Sequence, residues 1–175
     1  MRRPLQRVAA GAVAVVLLVG CAARYKSSVR PTCRNAETLV LMAQSVPSAE
    51  QVPCIASLPA GWTVKTIDIR NGRSYFSLDS DRAGDRAVQV TLRSSCDVSG
   101  TTEIVSDEPG MTRHERVESV VREYRGVRIY KFAGGCVTYR FDFDRRGLAL
   151  VNEVSLALGF LSRADVARQA KLPSL

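Results

Sequence analysis

His114 is the only histidine in this chain, so any Ser-His-Asp or Cys-His catalyst would have to draw its base from it. Its neighbours Arg113, Glu115 and Arg116 describe a wet, charged surface position and not a desolvated base. No GxSxG nucleophile elbow, P-loop or GxGxxG occurs. Asp142 and Asp144 lie two apart, hence on one face of a strand, where paired carboxylates do acid–base work if one is desolvated. Arg140, Arg145 and Arg146 flank them, so solvated ion pairs are expected. Asp79, Asp81 and Gly84 fit positions 1, 3 and 6 of a calcium loop, and Asp85 adds a further carboxylate. Ala83 then stands at position 5, and Val90 at position 12, where a bidentate glutamate must close the shell. A charged turn is the better reading, and no catalytic residue, metal site or cofactor is assigned.

The remaining candidates are basic. Residues 76–110 hold seven acids and three bases, whereas residues 111–146 hold nine bases and five acids, within a formal net charge of +8. One sector should therefore attract anions. Arg128 and Tyr130 alternate onto one side of their strand, and Thr138 and Arg140 onto one side of the next. The turn Ala133-Gly134-Gly135 makes these strands neighbours, so the two sets are expected to share a face. There Arg128, Arg140 and Tyr130 would hold phosphate or carboxylate, with guanidiniums bonding bidentately. A solvated sheet face is the competing explanation.

The first twenty-one residues determine where this chemistry would take place. Arg2, Arg3 and Arg7 precede an uncharged apolar run from Val8 to Val19, small residues follow, and Cys21 ends the segment. Leu18-Val19-Gly20-Cys21 resembles the lipobox of bacterial lipoproteins. That resemblance implies a signal peptide over 1–20, cleavage before Cys21, diacylglycerol on its thiol and often a further acyl chain, such as palmitate, on the new amine. Two or three chains anchor firmly where one would not. An uncleaved single-pass anchor is the alternative, but a spanning helix needs about 20 apolar residues. Both place the rest of the chain on the extracytoplasmic side of the cell membrane, where nucleic acid is not an expected partner.

Residues 21–32 then read as the lipidated cysteine and a polar tether, with Arg24, Lys26 and Arg30 near anionic head groups. Residues 33–175 suffice for a single domain. Four cysteines in an exported chain imply two disulfides, and the expected pairs are Cys33–Cys54 and Cys96–Cys136. Asn35 caps a helix through Gln44, and Ser48 with Gln51 caps a further turn, forming a helical hairpin. Trp62–Ile69 and Ser74–Leu78 flank Asn71-Gly72, the strongest hairpin signal present. Strands follow at Val88–Cys96, with Cys96 pointing inward, then at Thr101–Val105, Val127–Phe132 and Val137–Phe143. Residues 112–125 carry both a capping-box pattern and β-branched runs, and strand-like flanks favour strand plus loop. Leu150, Val151, Val154, Leu158 and Leu161 mark an amphipathic helix, and Ser162 with Asp165 caps another.

The expected fold is α+β, with an antiparallel sheet of about six strands, the N-terminal helical hairpin and one or two C-terminal helices packed on it. The expected function is that of a non-catalytic, disulfide-braced envelope lipoprotein presenting a binding surface to a protein partner or an anionic polymer. A membrane-anchored secreted hydrolase using an unidentified carboxylate or serine is the alternative. A deep pocket holding His114, Asp142 or Asp144 would favour the hydrolase; a shallow basic face would favour the binder.

Overall fold

Alternation of apolar and polar residues writes most of the sheet. In a computed structural model, residues 24–25, 29–145 and 147–171 are described. Trp62–Arg70 (β3), Arg73–Ser80 (β4) and Gly84–Arg93 (β5) form one antiparallel meander. Thr102–Ile104 (β6), Thr112–Ser119 (β7), Tyr124–Phe132 (β8) and Gly135–Phe143 (β9) form a second. The two join where β5 pairs with β9, and the short strand Arg24–Tyr25 (β1) pairs with the end of β3. The sheet order is β1-β3-β4-β5-β9-β8-β7-β6. Residues 112–119 are strand and not helix, as their neighbours require.

One face of this sheet is core. Phe76, Leu78, Val90, Leu92, Val137 and Phe143 are almost fully buried on it. Ala36–Ser45 (α1), Leu148–Ala157 (α2) and Arg163–Gln169 (α3) cover that face, through Leu39 and Met42, Val151 and Val154, and Val166. The caps follow the sequence: the Glu37 N–H donates to the Asn35 side chain at 3.0 Å, and the Asp165 N–H donates to Ser162 Oγ at 3.0 Å.

Two segments correct the expected helices. The second arm of the N-terminal hairpin is a strand, Gln51–Ile55 (β2), so the hairpin does not form. The C-terminal helix stops at Ala157, and Leu158–Ser162 (β10) pairs antiparallel with β2. Both reversals have a packing cause. Val52 and Cys54 are fully buried in β2, and this two-stranded ribbon tolerates Pro53 because edge strands do not require every N–H. Gly159 weakens helix continuation, and Phe160 docks on Tyr130 (5.3 Å between ring centroids) and stacks on Tyr139 (6.2 Å).

Arg163 holds the ribbon to the first helix. Its guanidinium donates to the carbonyls of Ala43 (2.6 Å), Val46 (2.8 Å) and Ala49 (3.0 Å), satisfying oxygens that the end of α1 leaves open.

The tether expected over 21–32 ends earlier than its composition suggests. Arg24–Tyr25 already pair with β3, Thr38 Oγ1 donates to the Val29 carbonyl, and the Ile55 N–H donates to that of Pro31, the last two at 2.8 Å. Cys21 and the signal segment lie outside the described residues. Among the described residues no helix is long and apolar enough to cross a membrane.

Candidate functional site

Both disulfides pair as expected, Cys33–Cys54 and Cys96–Cys136. Cys96 does not continue β5 with an inward side chain; it lies three residues beyond the strand and half-buried. From there the chain crosses the sheet face opposite the core to reach β6. Cys96 and Val98 pack there on Val127, Ile129 and Cys136, and Arg116 Nη1 reaches the Ser99 carbonyl at 3.4 Å.

Register settles where the expected anion-binding residues go, and it separates them. The turn between β8 and β9 has two residues, Ala133 and Gly134, because Phe132 already pairs with Gly135. Arg128 therefore faces Tyr139, and Val127 faces Arg140. A turn that also contained Gly135 would have set Arg128 opposite Arg140; one residue of slip moves every side chain to the other face. Arg128 and Tyr130 thus lie on the core side, and Arg140 lies on the opposite side, so the shared face expected for the three does not form.

The core-side pair is engaged in structure. Arg128 is 6% exposed, ion-paired with Glu115, bonded to Ser155 Oγ (2.8 Å) and set over the Phe141 ring (5.7 Å). The Tyr130 hydroxyl donates to Asp107 at 2.8 Å. Burial, reinforced by the Asp107 carboxylate, pushes that hydroxyl far above its ordinary pKa. Burial opposes the charge on Asp107 itself, but the Tyr130 hydroxyl and the guanidiniums of Arg113 and Arg128 outweigh it and hold Asp107 below the usual range. This network ties the 106–110 loop and α2 to the sheet and leaves Arg128 with no free donor face for a ligand.

The other face carries the site. An open trough of about 670 Å³ runs along β4, β5 and β9, walled by the disulfide-pinned segment at Cys96 and Asp97. Arg73 and Arg93 line one end, Arg116 and Arg140 the other. Comparison of the chain with known proteins finds no matching family model, no similar curated protein and no similar solved structure. The trough must therefore be judged by its own chemistry.

Two of its four arginines are already engaged: Arg73 lies 3.3 Å from Asp68, and Arg116 2.8 Å from Glu118. Arg93 and Arg140 are exposed and have no ion pair or side-chain hydrogen bond among the described residues. Burial, then the like charge of Arg70, holds Arg73 below its ordinary pKa despite Asp68, and Arg93 adds further repulsion. Positive charge is thus concentrated beyond what the local acids neutralise, and Asp97 is the one carboxylate in the lining.

The other candidates stand outside this trough. His114 Nε2 lies 3.8 Å from Glu103 on β6, and its side chain is largely covered, not at the wet surface position its neighbours suggest. Asp142 pairs with Arg125 at 3.1 Å and Asp144 with Arg145 at 3.2 Å, the solvated ion pairs their neighbours suggested, although Arg140 is not the partner. Asp79, on β4, pairs with Lys65 at 3.1 Å and accepts the N–H of Arg86, on β5, at 2.8 Å, beside the short charged turn over 81–83.

Arg73 and Arg93 escaped the sequence reading because they fall outside the basic stretch 111–146. Their signal is phase: Arg73 and Tyr75 alternate with Ser74 and Phe76, and Gln89, Thr91 and Arg93 alternate with Val88, Val90 and Leu92. Each set marks a polar strand face, and the pairing of Tyr75 with Thr91 aligns the two.

Proposed function

We propose that this protein is a non-catalytic, lipid-anchored binding protein of the cell envelope, and that the basic trough is its face for an anionic envelope component. The observation that carries the reading is the pair of exposed guanidiniums, Arg93 and Arg140, that make no ion pair among the described residues, on a trough whose lining includes neither His114, Asp142 nor Asp144. An acid–base site needs a carboxylate or imidazole poised by desolvation where a substrate would sit. The trough's one carboxylate, Asp97, is exposed and held below its ordinary pKa by hydrogen bonds from Ser99, and around it stand donors and positive charge, which suit recognition of phosphate or carboxylate. Its place outside the cytoplasmic membrane rests on the lipobox at Leu18–Cys21.

Charge reversal tests the ligand face. Arg93→Glu combined with Arg140→Glu is expected to weaken binding to an anionic polymer such as polyphosphate at least about tenfold, the equivalent of losing one charge-assisted hydrogen bond. Wild-type binding should fall as salt rises from 0.1 to 1 M, because the Debye length shrinks from about 10 to about 3 Å. Titration of labelled polymer at both salt levels measures this; salt-insensitive binding that survives the double substitution would refute the proposal.

Cys21→Ser is expected to abolish lipid attachment and leave the precursor unprocessed. Metabolic labelling with a fatty-acid probe, followed by a mass measurement, reads both. Equal label on wild type and variant would remove the anchor from the proposal and leave the trough reading intact.

A further inference from the structure

The trough has an order across the strands that its charge alone does not convey. Pairing aligns Arg116, Val127, Arg140, Gln89 and Ser77 in one row across five strands. Two residues along each strand, a second row contains His114, Ile129, Thr138, Thr91 and Tyr75, of which His114 lies beyond the trough lining. Two residues further, Cys136 faces Arg93, and Arg73 precedes Tyr75 by two on the neighbouring strand. Basic groups therefore stand in the outer rows and neutral groups between them. From Gln89, opposite Arg140, to Arg93 is four residues along one strand, or about 13 Å at roughly 3.3 Å per residue.

Within the trough the middle row is uncharged, and beyond the buried Ile129 it is polar. Tyr75 is half-buried, with the Arg73 guanidinium 5.2 Å above its ring and its hydroxyl 3.4 Å from Gln89 Oε1. Thr91 and Thr138 add hydroxyls, and Thr138 Oγ1 lies 3.5 Å from the Cys96 sulfur, so the disulfide-pinned wall rests directly on the floor. A bare phosphate chain would use the two basic ends and leave the floor idle. A phosphatidylglycerol head group carries a single compact charge, which one end alone would satisfy.

We infer that the ligand is an anionic glycan, a chain of sugar units bearing carboxylate or phosphate on more than one unit, which bridges both ends of the trough and lays a ring against the side of Tyr75 that Arg73 does not cover. The inference rests on the reading of the trough as the ligand face. Sugar rings present apolar C–H faces to an aromatic side chain and hydroxyls to groups such as Gln89, Thr91 and Thr138. Two anions on one chain engage two basic ends with an effective concentration that a monomer lacks.

The test uses the full chain in an uncharged detergent and four probes: oligogalacturonate, galacturonate monomer, polyphosphate, and phosphatidylglycerol in mixed micelles. Oligogalacturonate is expected to bind at least about tenfold tighter than polyphosphate, and the monomer at least about a hundredfold weaker than the oligomer. Tyr75→Ala should weaken oligogalacturonate binding about tenfold and leave polyphosphate binding within about twofold. Polyphosphate or phosphatidylglycerol binding as well as the oligomer, with no effect of Tyr75→Ala, would overturn the glycan while sparing the anion-binding trough. Monomer and oligomer of equal affinity would overturn the bridging of the two ends. No salt-sensitive binding of any probe would overturn the trough reading itself and the glycan with it.

Discussion

Replacing Cys96 and Cys136 together by alanine is expected to destabilise the folded chain by about 4 kcal/mol, and replacing Cys33 and Cys54 by about 3 kcal/mol. The bridges close loops with sequence separations of 40 and 21, so the longer removes more freedom from the unfolded chain. Domains of this size are stable by about 5–15 kcal/mol, and losing both bridges consumes much of that margin. The two losses should also differ in kind. Cys33 and Cys54 join the start of α1 to β2, next to Ile55 and the Thr32 bridge, and their removal loosens the main core. Cys96–Cys136 pins the wall of the trough over Val127 and Ile129, away from that core. Denaturant unfolding of the two double variants, monitored through Trp62, measures the first difference. Polyphosphate titration measures the second: only the Cys96/Cys136 variant should lose affinity while still folded. Equal stability of wild type and both variants would show that the bridges constrain nothing the rest of the fold does not.

Much of this architecture was legible, and the failures share one origin. Val137, Tyr139, Phe141 and Phe143 announce their buried face by strict alternation, and Asn71-Gly72 announces the hairpin; Gly72 takes the positive φ (+78°) while Asn71 does not, so the turn is not the type I′ whose two central residues both need it. These signals are local. The β2–β10 ribbon is not: Gln51 pairs with Ser162, and neither segment has enough length or alternation to declare itself without its partner. Leu150 to Leu161 keeps helical spacing through residues that β10 takes into the ribbon, where Phe160 gains aromatic contacts on the sheet. The site failed for the same reason at finer scale. Alternation shows that Arg128 and Tyr130 share a side, and that Thr138 and Arg140 share a side. Whether those sides coincide depends on the count of turn residues, and Ala133-Gly134-Gly135 reads equally well with two or three. Arg73 and Arg93 join Arg140 only once β5 is known to pair with β9, a contact that skips three intervening strands.

That same turn makes the second large prediction: Gly134→Ala is expected to cost about 3 to 4 kcal/mol, among the largest effects of any single methyl addition. Gly134 has φ +71°, a left-handed conformation that costs an L-residue about 1–2 kcal/mol. Sterics add the rest. A Cβ there would lie 2.6 Å from the Ser48 carbonyl carbon and closer still to its oxygen, and both are backbone atoms that cannot rotate away. The approach is close because the turn is docked: Ser48 Oγ donates to the Gly134 carbonyl at 2.7 Å, and the Glu50 N–H donates to that of Ala133 at 3.1 Å. Relieving the clash would pull the turn off the segment that leads from α1 into β2. Gly72→Ala is the control, since Gly72 also has positive φ but nothing within 4 Å of its would-be Cβ. It should lose only the conformational share, about 1–2 kcal/mol. Denaturant unfolding of both variants gives the comparison directly. Equal losses at the two glycines would mean that the β8–β9 turn does not dock on Ser48, whereas a larger loss at Gly134 measures the docking itself.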